Sequence, residues 1–313
     1  MLKTRGLTRR FGSMMAVRHV DLDVPANSIF GFIGPNGAGK TTTMRMIATL
    51  LRPSEGEIEI DGIDAVVEPN HARSRIGYLS DTFGLYDELR VWEYLDYFCR
   101  AYNVDSPGDK IDEILQLIQL THKRDELVGK LSRGMRQRVG IARTLVYQPK
   151  VILLDEPANG LDPISRIGLR DLLKALRDRG TTIVVSSHIL TELSDFCDTV
   201  GIMELGRMVV SGSIEKILSQ TRKHLKLVLE VLGPPEKAKE VLSGEAAIFD
   251  VVQESLPAAA ASAKFEMGFS GQRDDLPALH KKLVEAGVPL IAFYPKTENL
   301  EDLFMRLSTG ATN

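Results

Sequence analysis

Nine consecutive residues, Gly34 to Thr42, read GPNGAGKTT and contain the spacing GxxxxGK[ST]. A strand-like run, Ile29 to Ile33, precedes them and a helical pattern follows, which is the context a phosphate-binding loop requires. Gly34, Gly37 and Gly39 free the backbone around Pro35, Asn36 and Ala38, so successive N–H groups can turn towards phosphate oxygens. Lys40 adds a full positive charge, and the helix that begins there aims its dipole at the same anion. Thr41 offers a hydroxyl to Mg²⁺, and Thr42 completes the motif.

A second set of groups lies more than a hundred residues downstream. The apolar run Val151 to Leu154 ends in Asp155 and Glu156, so both carboxylates leave the carboxyl end of a buried strand, where open α/β sheets bind ligands. Asp155 suits a metal shell, while Glu156 is placed to orient and deprotonate a water. Two acids at a strand end also fit a solvated edge, and it is the phosphate loop that favours chemistry. His188 follows the run TTIVVSS, again at a strand end. A lone histidine is commonly structural, so its meaning depends on the other motifs.

The elements that must position these groups follow from hydrophobic period. Val20 to Val24, Ile29 to Ile33 and Ile58 to Ile60 read as strands. Met44, Ile47, Ala48 and Leu51 recur at helical spacing, with Pro53 expected to close that helix. Val91 to Tyr102 and Lys110 to Leu120 are helical, the second with Ile111, Ile114, Leu115 and Ile118 on one face. These belong to a helical insert of about residues 85–148. Strand-like runs return at Val151 and Thr181, separated by a helix around Arg166 to Arg179. Buried runs alternating with helices indicate a parallel sheet in an α/β domain.

The chain has 313 residues, which favours two domains, expected at 1–220 and 221–313. Past Gln220 the order is strand LKLVLEVL, helix PEKAKEVL, strands AIFDVVQ and AKFEMGF, helix DLPALHKKLVEAG and strand PLIAFY. That βαββαβ order is the split arrangement of a small α+β, ferredoxin-like domain. Ala258 to Ala261 reads as a loop. Asn299 caps an expected closing helix with Leu300, Leu303, Phe304 and Leu307 on one face. A formal charge of -3 gives no whole-chain attraction to nucleic acid or anionic lipid. Neither a signal peptide nor an apolar run of the roughly 18 residues needed to span a bilayer is read. Two distant cysteines, Cys99 and Cys197, argue against a disulfide framework and a zinc site and fit a reducing cytosol.

Between the two phosphate motifs lies LSRGMRQR, Leu131 to Arg138, running into VGIARTLVYQP. This resembles the signature of ATP-binding cassette (ABC) proteins, and other marks of that family appear in order over roughly residues 1–220. The resemblance implies a P-loop NTPase fold of the ABC nucleotide-binding type with a helical subdomain. It implies an ATPase using ATP and Mg²⁺, with Phe11 stacking on adenine, His188 contacting the γ-phosphate and Gly160-Leu161-Asp162 forming the D-loop. Leu131, Ser132, Gly134 and Gln137 would meet the triphosphate held by a second ATP-binding subunit, expected to be an identical chain. Without a partner Ser132 would simply cap a helix.

Arg133 stands where the family commonly has a second glycine, a variant similar to ATPase subunits of the ABC-2 exporter type. Asp81 replaces the family's Q-loop glutamine, with Ser80 before it, and its carboxylate can still meet Mg²⁺. The implied assembly pairs two such chains with a separate transmembrane permease at the cytoplasmic face of the membrane, with no nucleic acid partner. Phe83, Leu85, Tyr86 and Trp92 resemble the segment that meets the permease. Trp92, Tyr94, Leu95 and Phe98 also recur at the helical spacing of a core face, the reading preferred for those four. A soluble nucleotide-switched regulator is the rival reading, and for the C-terminal domain dimer contact and regulation both stand.

Overall fold

A computed structural model of the chain describes residues 1–214, 216–217, 225–233, 235–254 and 262–296. It forms two compact units, Met1–Ile214 and Glu215–Asn313, each with its own apolar core.

The first unit opens with β1 (Leu2–Phe11), β2 (Met14–Val24) and β3 (Ile29–Ile33), then α1 (Lys40–Ile47), β4 (Glu55–Ile60), β5 (Ile63–Asp64), α2 (Pro69–Arg73) and β6 (Ile76–Leu79). Three helices follow, α3 (Val91–Ala101), α4 (Pro107–Leu117) and α5 (Arg133–Leu145). The chain then alternates through β7 (Val151–Leu154), α6 (Pro163–Asp178), β8 (Thr182–Ser187), α7 (Leu190–Ser194), β9 (Thr199–Glu204) and β10 (Arg207–Ser213). A six-stranded sheet has the order β10-β9-β3-β8-β7-β6, and a four-stranded sheet has the order β2-β1-β4-β5.

The larger sheet is parallel from β9 to β6, with β10 added antiparallel at the edge. Every residue of β3, β7 and β8 is buried, which explains why these strands read as continuous apolar runs instead of alternating ones. Phe30, Phe32, Met44, Ile47, Leu153 and Val184 join the β1 and β2 residues Leu7 and Val20 in one core.

Strand β1 and the end of the first helix differ from expectation. Strand β1 was not legible as one, because its register with β2 shifts between Thr4 and Leu7 and again near Arg9. Such bulges break the two-residue alternation that marks a strand, and two buried positions, Thr4 and Thr8, are polar. Pro53 does not close the first helix. The helix ends at Ile47, where Thr49 turns left-handed at φ 58° and the Arg45 carbonyl accepts the Leu50 N–H at 2.9 Å. Of the four residues of α3 expected on a core face, Tyr94 and Leu95 are fully buried, whereas Trp92 and Phe98 are half-buried.

The second unit contains β11 (Leu225–Leu232), α8 (Glu236–Gly244), β12 (Ile248–Glu254), β13 (Ser262–Phe269), α9 (Leu276–Glu285) and β14 (Leu290–Lys296). Its sheet is antiparallel throughout, in the order β12-β13-β11-β14. Leu227, Leu229, Phe265 and Met267 form a core with Leu242 of α8 and Leu283 of α9. Charge pairs link the strands: Lys264 of β13 meets Glu254 of neighbouring β12 at 2.9 Å, and Lys296 of β14 reaches Glu266 of β13 across β11 at 2.6 Å. The expected loop at Ala258 to Ala261 and the expected helix after Asn299 lie outside the described residues.

Candidate functional site

Strands β3, β8, β7 and β6 are parallel neighbours, and each ends in a turn that carries a candidate group. Ile33 pairs with Ser187, Leu154 with Val185, and Leu79 with Leu154. The phosphate loop, His188, Asp155-Glu156 and Asp81 therefore emerge side by side at one end of the sheet, at the carboxyl ends of its strands. A cavity of about 610 Å³ opens there, lined by Phe11, every residue from Pro35 to Thr42, Asp81, Glu156, Asn159 and His188. That volume suits a small-molecule ligand.

The loop is shaped by close approach. A Cβ on Gly34 would stand 2.2 Å from the Met203 carbonyl oxygen, and Gly39 has φ 103° with the Ala16 carbonyl oxygen 2.7 Å from where a Cβ would be. Neither position admits a side chain. Lys40 is buried and its Nζ donates to the carbonyls of Gly34 at 2.6 Å and Pro35 at 3.3 Å. The same Nζ lies 3.2 Å from Glu156 Oε1, so the buried cation is paired. Thr41 and Thr42 are half-buried at the start of α1.

Asp155 is 2% exposed and accepts a hydrogen bond from Ser186 Oγ at 2.7 Å. Ser186 Oγ also accepts the Glu156 N–H at 2.9 Å, so one buried hydroxyl holds both acidic residues. The other oxygen of Glu156, Oε2, accepts the His188 N–H at 3.3 Å and lies 2.8 Å from His188 Nδ1. With the carboxylate ionised and so only an acceptor, that contact takes its hydrogen from Nδ1. Glu156 thus stands between a lysine cation and an imidazole at the mouth of a phosphate cradle. Such a carboxylate can take a proton from a water attacking a phosphoryl group. Phe11 is 43% exposed on the cavity wall, with the Arg9 guanidinium 4.6 Å above its ring.

The signature residues are elsewhere. Leu131, Ser132 and Gly134 are absent from the lining of the large cavity. Leu131 is buried, and Ser132 caps α5 by accepting the Met135 N–H at 3.3 Å. Gly134 packs so closely on α6 that a Cβ would lie 2.4 Å from Ser165 Oγ. Gln137 lines a neighbouring cavity of about 300 Å³ together with Asp81 and Glu156. Asp162 caps α6, accepting from Ser165 N–H at 3.1 Å and Ser165 Oγ at 2.5 Å, and those bonds hold its carboxyl below the usual range. Ser80 Oγ donates to the Thr82 carbonyl at 2.6 Å, while Asp81 Oδ1 lies 3.5 Å from Asn159 Nδ2.

Several contributors were missed in the sequence. Ser186 had a usable signal, a hydroxyl directly after the apolar run Ile183 to Val185 in a strand buried throughout, which demands a partner. Asn159 and the segments at Met14 to Ala16 and Leu205 to Gly206 had none. They reach the cavity by tertiary contact, with Arg18 N–H donating to Gly206 at 2.7 Å and Gly206 N–H donating to Ala38 at 3.0 Å.

Comparison with known proteins agrees with this geometry. Residues 17–159 match the ABC transporter family. The chain is 35% identical over 315 residues to the bacitracin transport ATP-binding protein BcrA of Bacillus licheniformis, covering 100% of this chain and 98% of that protein. It is 32% identical over 307 residues to the Nod factor export ATP-binding protein I of Burkholderia orbicola, covering 97% and 95%. A solved dimeric ATP-binding cassette in a post-hydrolysis state with ADP and Pi aligns at TM-score 0.61 and 27% identity, over 68% of this chain and 98% of that one. A glycine loop holding a buried lysine, faced by a carboxylate and a histidine, within full-length similarity to transport ATP-binding proteins, has one reading: this chain belongs to the ABC transporter family as an ATP-binding, ATP-hydrolysing subunit.

Proposed function

We propose that the chain powers an exporter of the ABC-2 type, closing on ATP as a head-to-tail pair with a second copy and passing that closure to a separate membrane permease. The observation that carries the catalytic part is Glu156, whose two oxygens reach Lys40 and His188 inside the cavity lined by the phosphate loop from Pro35 to Thr42. Glu156 serves as general base for the attacking water, His188 holds it, and Lys40 with the loop N–H groups stabilises the phosphate charge. Phe11 offers its exposed ring to the adenine.

Mg²⁺ fits the donor set. Among the described residues no cluster of three His, Cys, Asp or Glu could hold a metal alone. Thr41 and Asp155, with Asp81 at the cavity wall, supply the few oxygens that Mg²⁺ takes from protein when phosphates complete its shell. When bound it would neutralise phosphate charge.

The pairing rests on Ser132, which is exposed outside the cavity of its own chain, and on the similarity to a dimeric cassette. In a head-to-tail pair the α5 N-terminus would close on the partner's triphosphate. Export is supported by the near-full-length similarity to the Nod factor export ATP-binding protein. No helix of the described residues is long and apolar enough to cross a membrane. The similarity to transport ATP-binding proteins supports a peripheral place on the cytoplasmic face beside a permease. Tyr86 and Tyr97, 54% and 53% exposed and in edge contact with each other, supply an aromatic patch for that partner. We assign the second unit to the ferredoxin-like class on its element order and strand order, with a part in dimer contact or regulation.

The test is Glu156→Gln. Turnover is expected to fall roughly 10²–10⁴-fold with ATP binding retained, and the variant should sediment as a dimer when saturated with MgATP. Normal hydrolysis would remove Glu156 from its role. A variant that stays monomeric with ATP, alone and beside its permease, would remove the head-to-tail scheme.

A further inference from the structure

Behind the His188 turn runs a polar connection that the site itself does not use. Glu192 on α7 has a side chain 13% exposed, with Oε1 2.9 Å from Arg166 Nη1. Its Oε2 accepts from Ser187 Oγ at 3.0 Å, and Ser187 Oγ accepts the Ile189 N–H at 2.9 Å. Ser187 and Ile189 are the two neighbours of His188 in the chain. On the other side, Arg166 Nε donates to the Leu161 carbonyl at 3.0 Å. One ion pair thus joins the residue before Asp162 to both flanks of His188.

The surroundings favour a positioning role. Arg166, Ser187 and Glu192 line a cavity of about 170 Å³ together with Leu169 and Phe196, so close packing does not fix the turn on that side. Partly buried ion pairs add little net stability but specify geometry, because one partner alone is left uncompensated. The connection continues beyond Leu161: Arg133 Nη2 donates to the Asn159 carbonyl at 2.9 Å, and the guanidinium lies over Gly160. The signature helix, segment Asn159–Asp162, Arg166, Glu192 and the His188 turn therefore form one continuous set of contacts ending at Glu156.

We infer that Arg166 and Glu192 are positioning residues for hydrolysis, coupling segment Asn159–Asp162 to His188 so that the imidazole is held on Glu156 only while that segment is in place. The inference rests on the proposed role of His188 at the site. Physically, a chain of hydrogen bonds and ion pairs is a means by which a distant contact can bias a reactive side chain.

A double-mutant cycle on the full chain tests it, reading kcat and KM for MgATP. Glu192→Ala is expected to lower kcat about tenfold or more, since small displacements of reacting groups are costly, with KM within about twofold. Glu192→Gln, which keeps groups able to bond both Ser187 and Arg166, should retain most of the rate. In a His188→Ala background, Glu192→Ala should change kcat by no more than about twofold, because residues acting through one another are not additive. If Glu192→Ala does not fold, the same cycle is run with Ser187→Ala and Arg166→Met. The inference is overturned if the single variants keep the wild-type kcat, or if their losses are equal with and without His188. A His188→Ala chain that turns over normally would instead overturn the role of His188, and with it this coupling.

Discussion

Glu156 adopts a left-handed backbone conformation, φ 48°, that side chains other than glycine, Asn and Asp seldom take. Conformations of this kind cost about 1–3 kcal/mol and persist where neighbours over-determine them, and here Ser186 Oγ holds the Glu156 N–H. At that turn the carboxylate meets Lys40 and His188. The two cysteines show the opposite condition, side chains with no chemistry to perform. Cys99 and Cys197 are buried, and burial pushes both thiols above their ordinary value of 9.0. Because thiolate is the reactive form, a thiol-specific reagent at neutral pH should leave the native chain unlabelled and modify both residues after unfolding. Rapid labelling of the native protein would contradict the packing described. The sign of the linkage follows. The unfolded chain releases these protons first, so the native state keeps its full stability below about pH 9 and loses some as pH rises from there towards the raised folded values.

At the scale of elements, the site is as firm as the strands that end in it. Leu153 of β7 is fully buried in the main core, two residues before Asp155. Leu153→Ala is expected to cost about 2–5 kcal/mol, measured as a lower denaturant midpoint with an unchanged slope. Loss of less than about 1 kcal/mol would mean that the core closes around the deletion. Legibility varied among elements for a physical reason. β3, β7 and β8 are buried on both faces and announced themselves as apolar runs, and α3, α4 and α6 did so by helical period. β1 did not, because bulges and buried threonines interrupt its alternation.

For the whole molecule, the separate cores assign chemistry to one unit. Phe11, the phosphate loop, Asp81, Asp155, Glu156 and His188 all fall within Met1–Ile214. A chain ended at Ile214 is therefore expected to bind ATP within about threefold of the full chain, as a unit with its own core can fold alone. Titration calorimetry with the hydrolysis-blocked Glu156→Gln form of each length checks this. A complete loss of binding in a folded, truncated chain would tie the second unit to the nucleotide site.

The amino-acid sequence alone determined the phosphate loop and the paired carboxylates, because those functions are built from consecutive residues whose types and spacing are themselves the chemistry. It also determined the alternating α/β character, since burial on two faces leaves a mark in composition. Only the tertiary structure decided that β8 lies between β3 and β7, which brings His188 beside Glu156 across 32 residues of chain. It alone placed Ser186 under both acids, brought residues 14–16 and 205–206 to the cavity wall and joined Arg166 to Glu192. Those arrangements depend on strand order and on which turns meet in space, and neither is written in any local run of residues.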